Sequence, residues 1–313
     1  MRPACVNKVF DLAKRDPRVV YIGSDLSPDL TTRMKQEMPG RAFMEGVSEA
    51  HVIGMAAGLA MEGFIPFVHT IATFITRRCY EQVAVDLCLH NLSVRLIGNG
   101  GGLVYAPLGP THLAIEDVAI MRALPNMTVV SVCDADEMVR FMDQTLNWPG
   151  PIYIRLAKGF DPIVSRKELG FEIGKAIPMR VAAGVNRVLL VSTGVATTRA
   201  LAASELLAAK GVECTVLHVH TVKPLDTAAI LHYSHDVRVV VTIEEHTLVG
   251  GLGSAVTDAL VDGGGRIPLI RRLGIPDAFA VKYGSQDQLM AMYGLQPPQI
   301  AESVWEALKL VSA

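Results

Sequence analysis

The feature that most constrains this chain is an alternation. Short, almost wholly apolar runs are separated by segments with helical spacing. "VVYIGSD" (19–25), "IPFVHTIA" (65–72), "VRLIGNG" (94–100), "MTVVSVC" (127–133) and "PIYIRLA" (151–157) read as buried strands. The spacing predicts helices near 48–62, 77–91, 114–123 and 134–146. Continuous apolar strands separated by helices call for a parallel sheet covered on both faces. A polar stretch, "KGFDPIVSRKELGFEIGKAI" (158–177), has mixed charge, Gly and Pro and no sustained period. A second set follows. Strands are expected at 187–193, 214–220, 237–244 and 268–275, and helices at 196–210, 226–233, 251–262 and 298–311. The expectation is an α/β protein of two domains with mainly parallel sheets, 1–165 and 180–313, joined by a linker at 166–179.

The 313 residues, half of them hydrophobic, can bury two cores of ordinary size. A net charge of −2 gives no electrostatic reason to expect nucleic acid or an anionic membrane as partner. The five cysteines are scattered without metal-ligand spacing, as a reducing compartment permits. The N-terminus "MRPACVNKVFDLAKRDPR" reads as a charged amphipathic helix, not a targeting segment. No uninterrupted apolar run is long enough to span a bilayer. A soluble, cytoplasmic protein is expected.

In open α/β sheets, ligands gather at the carboxyl ends of strands. Polar or Gly-rich turns fall there: "GSDLSPD" (23–29), "GNGGGLVYAPLGPTH" (98–112), "STG" (192–194) and "EEHTLVGGLGS" (244–254). One acid stands out. Glu49 opens a helix whose body, Gly54 to Ala60, is mostly Gly and Ala. It reads either as a first-turn charge favoured by the helix dipole, with Ser48 or Gly46 as cap, or as an acid aimed at a ligand. The glycines of 98–112 could admit a ligand close to the backbone or could be an ordinary long loop. They lack the spacing of either nucleotide fingerprint. His112 ends that loop and reads equally as structural or functional. In "TFITRRCYEQV" (73–83), Phe74 and Tyr80 read locally as core, and Arg77 and Arg78 as solvated. "EEHTLVGGLGSAV" (244–256) reads as close helix–strand packing.

Taken together, "FMEGVSEAHVIGMAAGLA", "TFITRRCYEQV", "LGPTHLAIEDVAIMRALPNMTVVSV", "GPIYIRLAKG", "HTVKPLD" and "TIEEHTLVGGLGSAV" resemble the C-terminal half of transketolase. They fit best the small subunit of the type encoded separately from its partner. The resemblance runs in order through nearly the whole chain. It implies a thiamine diphosphate (ThDP) enzyme in which Glu49 hydrogen-bonds N1′ of the aminopyrimidine. That bond favours the imino tautomer, whose N4′ takes the C2 proton of the thiazolium, and the cofactor serves as electron sink. Phe74 and Tyr80 would wall the aminopyrimidine ring, and Asp25 and Leu26 match positions near the cofactor. The family's GDG motif, which holds Mg²⁺ and through it the pyrophosphate, is not in this sequence. The resemblance therefore implies a second, N-terminal-type subunit that holds most of the metal site, in an α2β2 assembly.

The sequence departs from the family at the substrate end. Transketolases usually read HxxxxxGEDGPTH where this chain has "GGGLVYAPLGPTH". Gly100 stands for the first histidine and Leu108 for the aspartate, while His112 is kept. Lys158 replaces a phosphate-binding arginine, retaining charge without the bidentate fork. Asp29 replaces a phosphate-contacting serine. The expected activity is transfer of a two-carbon ketol unit from a ketose to an aldehyde, with a donor or acceptor other than the usual pentose phosphates, Glu49 and His112 catalytic, and His112, Lys158 and Asp29 meeting substrate. The alternatives are the β subunit of a 2-oxoacid dehydrogenase E1 component, a 1-deoxyxylulose-phosphate-synthase-like enzyme, and a catalytically silent regulatory subunit.

Overall fold

The computed structural model describes residues 1–24, 26–157, 159, 161–184 and 188–312, with the backbone alone for Pro28, Leu30 and Ser312. The apolar runs become strands. They are β1 (Val19–Gly23), β2 (Ala42–Met44), β3 (Ile65–Ile71), β4 (Arg95–Asn99), β5 (Thr128–Ser131) and β6 (Ile152–Leu156) in the first half. The rest are β7 (Ile177–Arg180), β8 (Val188–Ser192), β9 (Cys214–His218), β10 (Thr221–Lys223), β11 (Val239–Thr247) and β12 (Leu269–Ile275). Most central strands are buried along their whole length because helices cover both faces.

Two sheets form, in the orders β10-β5-β6-β4-β3-β1-β2 and β12-β11-β8-β9-β7. All pairings are parallel except β10 with β5 and β7 with β9. The expected α/β architecture is therefore present. Two features cross its expected divisions. Thr221–Lys223, from the second half of the chain, adds an antiparallel edge to the first sheet. Ile177–Arg180, at the end of the linker, already belongs to the second. The short strand β2 and the helices Pro28–Glu37 and Gln286–Met292 add to the expected elements.

The helix expected at 77–91 is broken. Ala72–Arg77 is helical, Cys79 departs to φ −128°, and the chain resumes at Tyr80–Gln82 before a wide turn at Val83–Leu89. Arg78 sits at that break. Among the described residues no helix is long and apolar enough to cross a membrane.

In the first sheet the strand order reverses at β1, which β2 and β3 flank. A reversal opens a crevice at the carboxyl ends of the strands. Ser24 follows β1, Glu49 follows β2, Thr70 ends β3 with Phe74 just beyond, and the loop to His112 follows β4. Residues far apart in sequence thus converge on one end of the sheet.

Candidate active site

Glu49 is the first residue of the helix Glu49–Met61 and is only 4% exposed. Ser48 holds the cap position but does not cap: its hydroxyl donates to the Glu45 carbonyl at 2.8 Å. The helix body buries Val52, Ile53, Ala56 and Ala57. The carboxylate is therefore held where a side chain would normally be apolar. It receives two hydrogen bonds. The Thr70 hydroxyl donates to Oε1 at a long 3.5 Å, and Arg78 Nη1 donates to Oε2 at 2.9 Å. A small cavity of about 10 Å³ adjoins it, lined by Ser24, His69, Thr70 and aliphatic side chains. His69 Nδ1 lies 3.0 Å from the Tyr21 hydroxyl, and burial pushes the imidazole pKa down to about 3, so it is neutral.

Arg78 also lies over the Phe74 ring, its Cζ 4.1 Å from the centroid. His112 meets the same ring edge-on, with centroids 5.2 Å apart. Its amide donates to the Gly109 carbonyl at 3.0 Å, and Nδ1 is 2.9 Å from the Thr111 hydroxyl. Thr73, Phe74, Arg77, Arg78 and Thr111 line an open cleft of about 410 Å³. The structure thus brings Glu49, Phe74 and His112 into one cluster and adds Arg78, Thr70 and His69, which local sequence did not single out. Both arginines are exposed, as the solvated reading expects, but both are also paired: Arg78 with Glu49, and Arg77 with Glu116 and the Leu113 carbonyl, the latter at 3.0 Å.

Among the described residues, the other expected site residues share no hydrogen bond or ring contact with this cluster. Tyr80 packs into the apolar cluster under the first sheet, and its hydroxyl donates to the Ile120 carbonyl at 2.9 Å, so its local role is packing. Leu26 is half-buried in the bend after β1, and Asp29 is exposed in the first turn of Pro28–Glu37. Asp25 and Lys158 lie outside the described residues.

The glycine loop has a structural explanation. A Cβ on Gly100, at φ +76°, would stand 2.1 Å from the Tyr105 ring. Cβ atoms on Gly101 and Gly102 would meet Arg155 and Glu245. The space is filled by this chain's own side chains. The next amide, Leu103 N–H, donates to Glu245 Oε1 at 2.8 Å, fastening the loop to the second domain. Around it runs a buried seam. Arg155 Nε donates to Asp117 at 2.7 Å, and its Nη2 donates to the Ala114 and Glu245 carbonyls. Burial opposes the Arg155 charge, but Asp117 outweighs it and raises the pKa. Burial also raises the Glu245 carboxyl.

"EEH" behaves as packing predicts. Both Glu244 oxygens accept backbone N–H groups, from Leu252 at 2.7 Å and Gly253 at 2.8 Å, at the start of the helix Leu252–Asp262. Cys133, Glu137 and His218 are metal-ligand types that meet in the same seam. They are committed to one another: Glu137 accepts from Cys133 N–H at 2.6 Å and pairs with His218 Nε2 at 2.9 Å.

The comparisons agree with this architecture. Residues 1–160 match the transketolase pyrimidine-binding domain, and residues 179–300 match the transketolase C-terminal domain. The 6-deoxy-6-sulfo-D-fructose transketolase subunit SqwH of Clostridium sp. (strain MSTE9) is 37% identical, over 98% of this chain and 94% of that protein. The putative transketolase C-terminal section of Methanocaldococcus jannaschii is 33% identical, over 99% and 96%. A 1-deoxy-D-xylulose-5-phosphate synthase of Crocosphaera subtropica is 36% identical over 97% of this chain, which spans only 48% of that enzyme. Among solved structures, a split-gene transketolase described as an inactive beta4 tetramer superposes with a TM-score of 0.88 at 31% identity, covering 99% of this chain and 98% of that one. With both domains matched in order and a relative aligned end to end, the chain belongs to the transketolase family, as its pyrimidine-binding and C-terminal portion.

Proposed function

We propose that this chain is the pyrimidine-binding half of a split, ThDP-dependent transketolase that transfers a two-carbon ketol unit from a ketose to an aldehyde acceptor. One observation carries the reading. Glu49 is a buried carboxylate at the sheet's reversal, and the described residues offer it only a long hydroxyl contact and a half-exposed arginine. Buried carboxylates without structural partners are costly, so this one is shaped for a ligand. The residues present fit an aminopyrimidine: a carboxylate to pair with a ring nitrogen, and the Phe74 face beside it.

When bound, ThDP supplies the nucleophilic carbon and the electron sink. Glu49 shares a proton with the ring nitrogen in a site kept dry by Ile22, Val52, Ile53, Val68 and Ile75. Phe74 fixes the ring plane. His112, held by Thr111 and the Phe74 edge beside the cleft, is assigned to the donor hydroxyl. Asp25 and Leu26 are assigned to the cofactor's surroundings, and Lys158 and Asp29 to the far end of the substrate. The Tyr80 ring is assigned with Phe74 to the wall of the aminopyrimidine, its hydroxyl anchored on the Ile120 carbonyl.

A partner subunit of the N-terminal type would complete the site, hold Mg²⁺ and form the α2β2 assembly. Exposed Val47, Met61, Leu108, Phe279 and Tyr283 suit such a partner better than water. The donor is a ketose other than the usual pentose phosphates. Supporting this, a histidine cannot be restored at Gly100 without moving Tyr105, and an exposed Leu108 stands at the aspartate position. The name of the SqwH relative points to a sulfonated sugar as one such donor.

The test is co-purification with a neighbouring N-terminal-type subunit, followed by ThDP and Mg²⁺ titration. The mixture should bind both and turn over ketoses. Tight binding of ThDP with Mg²⁺ by this chain alone would contradict the split reading. A 1-deoxyketose product would favour the synthase-type reading, which the 36%-identical relatives support.

A further inference from the structure

The guanidinium of Arg78 makes two contacts at once: 2.9 Å to Glu49 Oε2, and 4.1 Å over the Phe74 ring. These are the two surfaces assigned above to the aminopyrimidine, a carboxylate and an aromatic face. A guanidinium is flat, rich in N–H donors and cationic, and so shares its shape and polarity with a protonated aminopyrimidine. We propose that Arg78 is a resident stand-in. It fills the flat-cation site between Glu49 and Phe74 in the free chain, and must leave before an aminopyrimidine can enter. The proposal rests on the cofactor reading given above and adds a competitor to it.

Three observations support displacement over permanent pairing. Glu49 is buried, whereas the Arg78 side chain is 45% exposed, so only one partner is fixed. Arg78 has no other hydrogen bond among the described residues, whereas its neighbour Arg77 is anchored by Glu116 and by the Leu113 carbonyl. The helix breaks just after Arg78, and the open cleft of about 410 Å³ that it lines leaves room for the side chain to swing outward. The contact also serves the free chain, since it keeps the Glu49 charge from being buried unpaired. Its cost falls on the ligand. A site filled for most of the time binds with an affinity reduced by the fraction of time it stands open.

The test uses the full chain and the probe 4-amino-5-hydroxymethyl-2-methylpyrimidine. This probe lacks the thiazolium and pyrophosphate and so makes no demand on a metal site. Titrations would compare the native chain with Arg78→Met, Arg78→Lys and Glu49→Gln. Arg78→Met should bind at least about fivefold more tightly than the native chain, with Arg78→Lys between them, and Glu49→Gln should abolish binding. In the native chain, the Arg78 side-chain N–H resonance should move toward that of a free arginine as probe saturates. Equal or weaker binding by Arg78→Met, with Glu49 still required, would overturn the stand-in and leave the cofactor site standing. A resonance that stays put while probe binds would do the same. Binding that ignores Glu49, or none by the native chain and Arg78→Met alike, would sink the cofactor site and the stand-in together.

Discussion

Glu49 and Glu244 are both buried glutamates with a helix start beside them: Glu49 is the first residue of its helix, and Glu244, in strand β11, reaches the first turn of Leu252–Asp262. Their partners differ. Glu244 fills both oxygens with backbone N–H groups from Leu252 and Gly253, at 2.7 and 2.8 Å. Those donors are fixed by the helix and available only to it. Glu49 spends nothing on its own helix. Its cap position is silent, and its partners are a hydroxyl at 3.5 Å and a side chain that reaches into solvent. Burial therefore does not separate a structural acid from a functional one. What separates them is whether the chain itself completes the hydrogen bonding.

The largest test of that contrast is in turnover. In the assembled enzyme, Glu49→Gln should lower kcat by about 10²–10⁴-fold, the range of a lost positioned acid–base group, while costing the free chain less than about 1 kcal/mol. Glu244→Gln should do the reverse. An equal loss of kcat in both variants, measured at matched folded fractions, would erase the distinction.

Next in size is the effect on stability. Glu244→Ala leaves two buried N–H groups at the helix start without acceptors and should cost about 1–3 kcal/mol in urea unfolding. If Glu49→Ala costs as much in the same experiment, Glu49 is structural too.

Acid should then load two buried regions, the one around Glu49 and the one around Glu137. His69, beside Glu49, and His220, in the seam, are both pushed by burial to about 3 from an ordinary 6.5. Groups with a depressed folded pKa bind more protons when unfolded. Their contribution is whole above 6.5 and is lost as pH falls toward 3. Burial alone would raise the Glu137 carboxyl, but His218 beside it, with His220 and the Cys133 amide, brings it to about 2 from 4.5. Its contribution is lost between those values. The urea midpoint should hold above pH 7 and decline below about 6.5, and His69→Asn and His220→Asn should each flatten the upper part of the decline. A midpoint unchanged from pH 7 to 5 would contradict both shifts.

The smallest effect concerns the helix behind Glu49. A Cβ on Gly54 or Gly58 would meet nothing within 4 Å. Ala at either should stabilise the free chain by up to about 1 kcal/mol. If that outer face meets the partner subunit, the same change should weaken co-purification.

The alternation of apolar runs was enough to read the sheets, because a strand covered on both faces has few other sequences available to it. Elements made by pairing at a distance were not legible. β10 is three residues whose place depends on an edge left by β5. At the site, Glu49, Phe74 and His112 were found through motifs, but Arg78 was not. Nothing local distinguishes it from Arg77, and only the helix break decides which arginine faces Glu49. The glycines at 100–102 suggested room for a ligand. Of the residues that fill the room, Tyr105 is in the same loop, but Arg155 and Glu245 lie 54 and 143 positions from the glycines they meet, beyond any window of local reading.

The central claim is that Glu49 activates a bound aminopyrimidine. Its most direct measurement is deuterium exchange at C2 of ThDP bound to this chain assembled with its N-terminal-type partner. The account predicts exchange far faster than in free cofactor for the native assembly, and a fall toward the free rate for Glu49→Gln with ThDP still bound. Exchange by the Glu49→Gln assembly as fast as by the native one would contradict it.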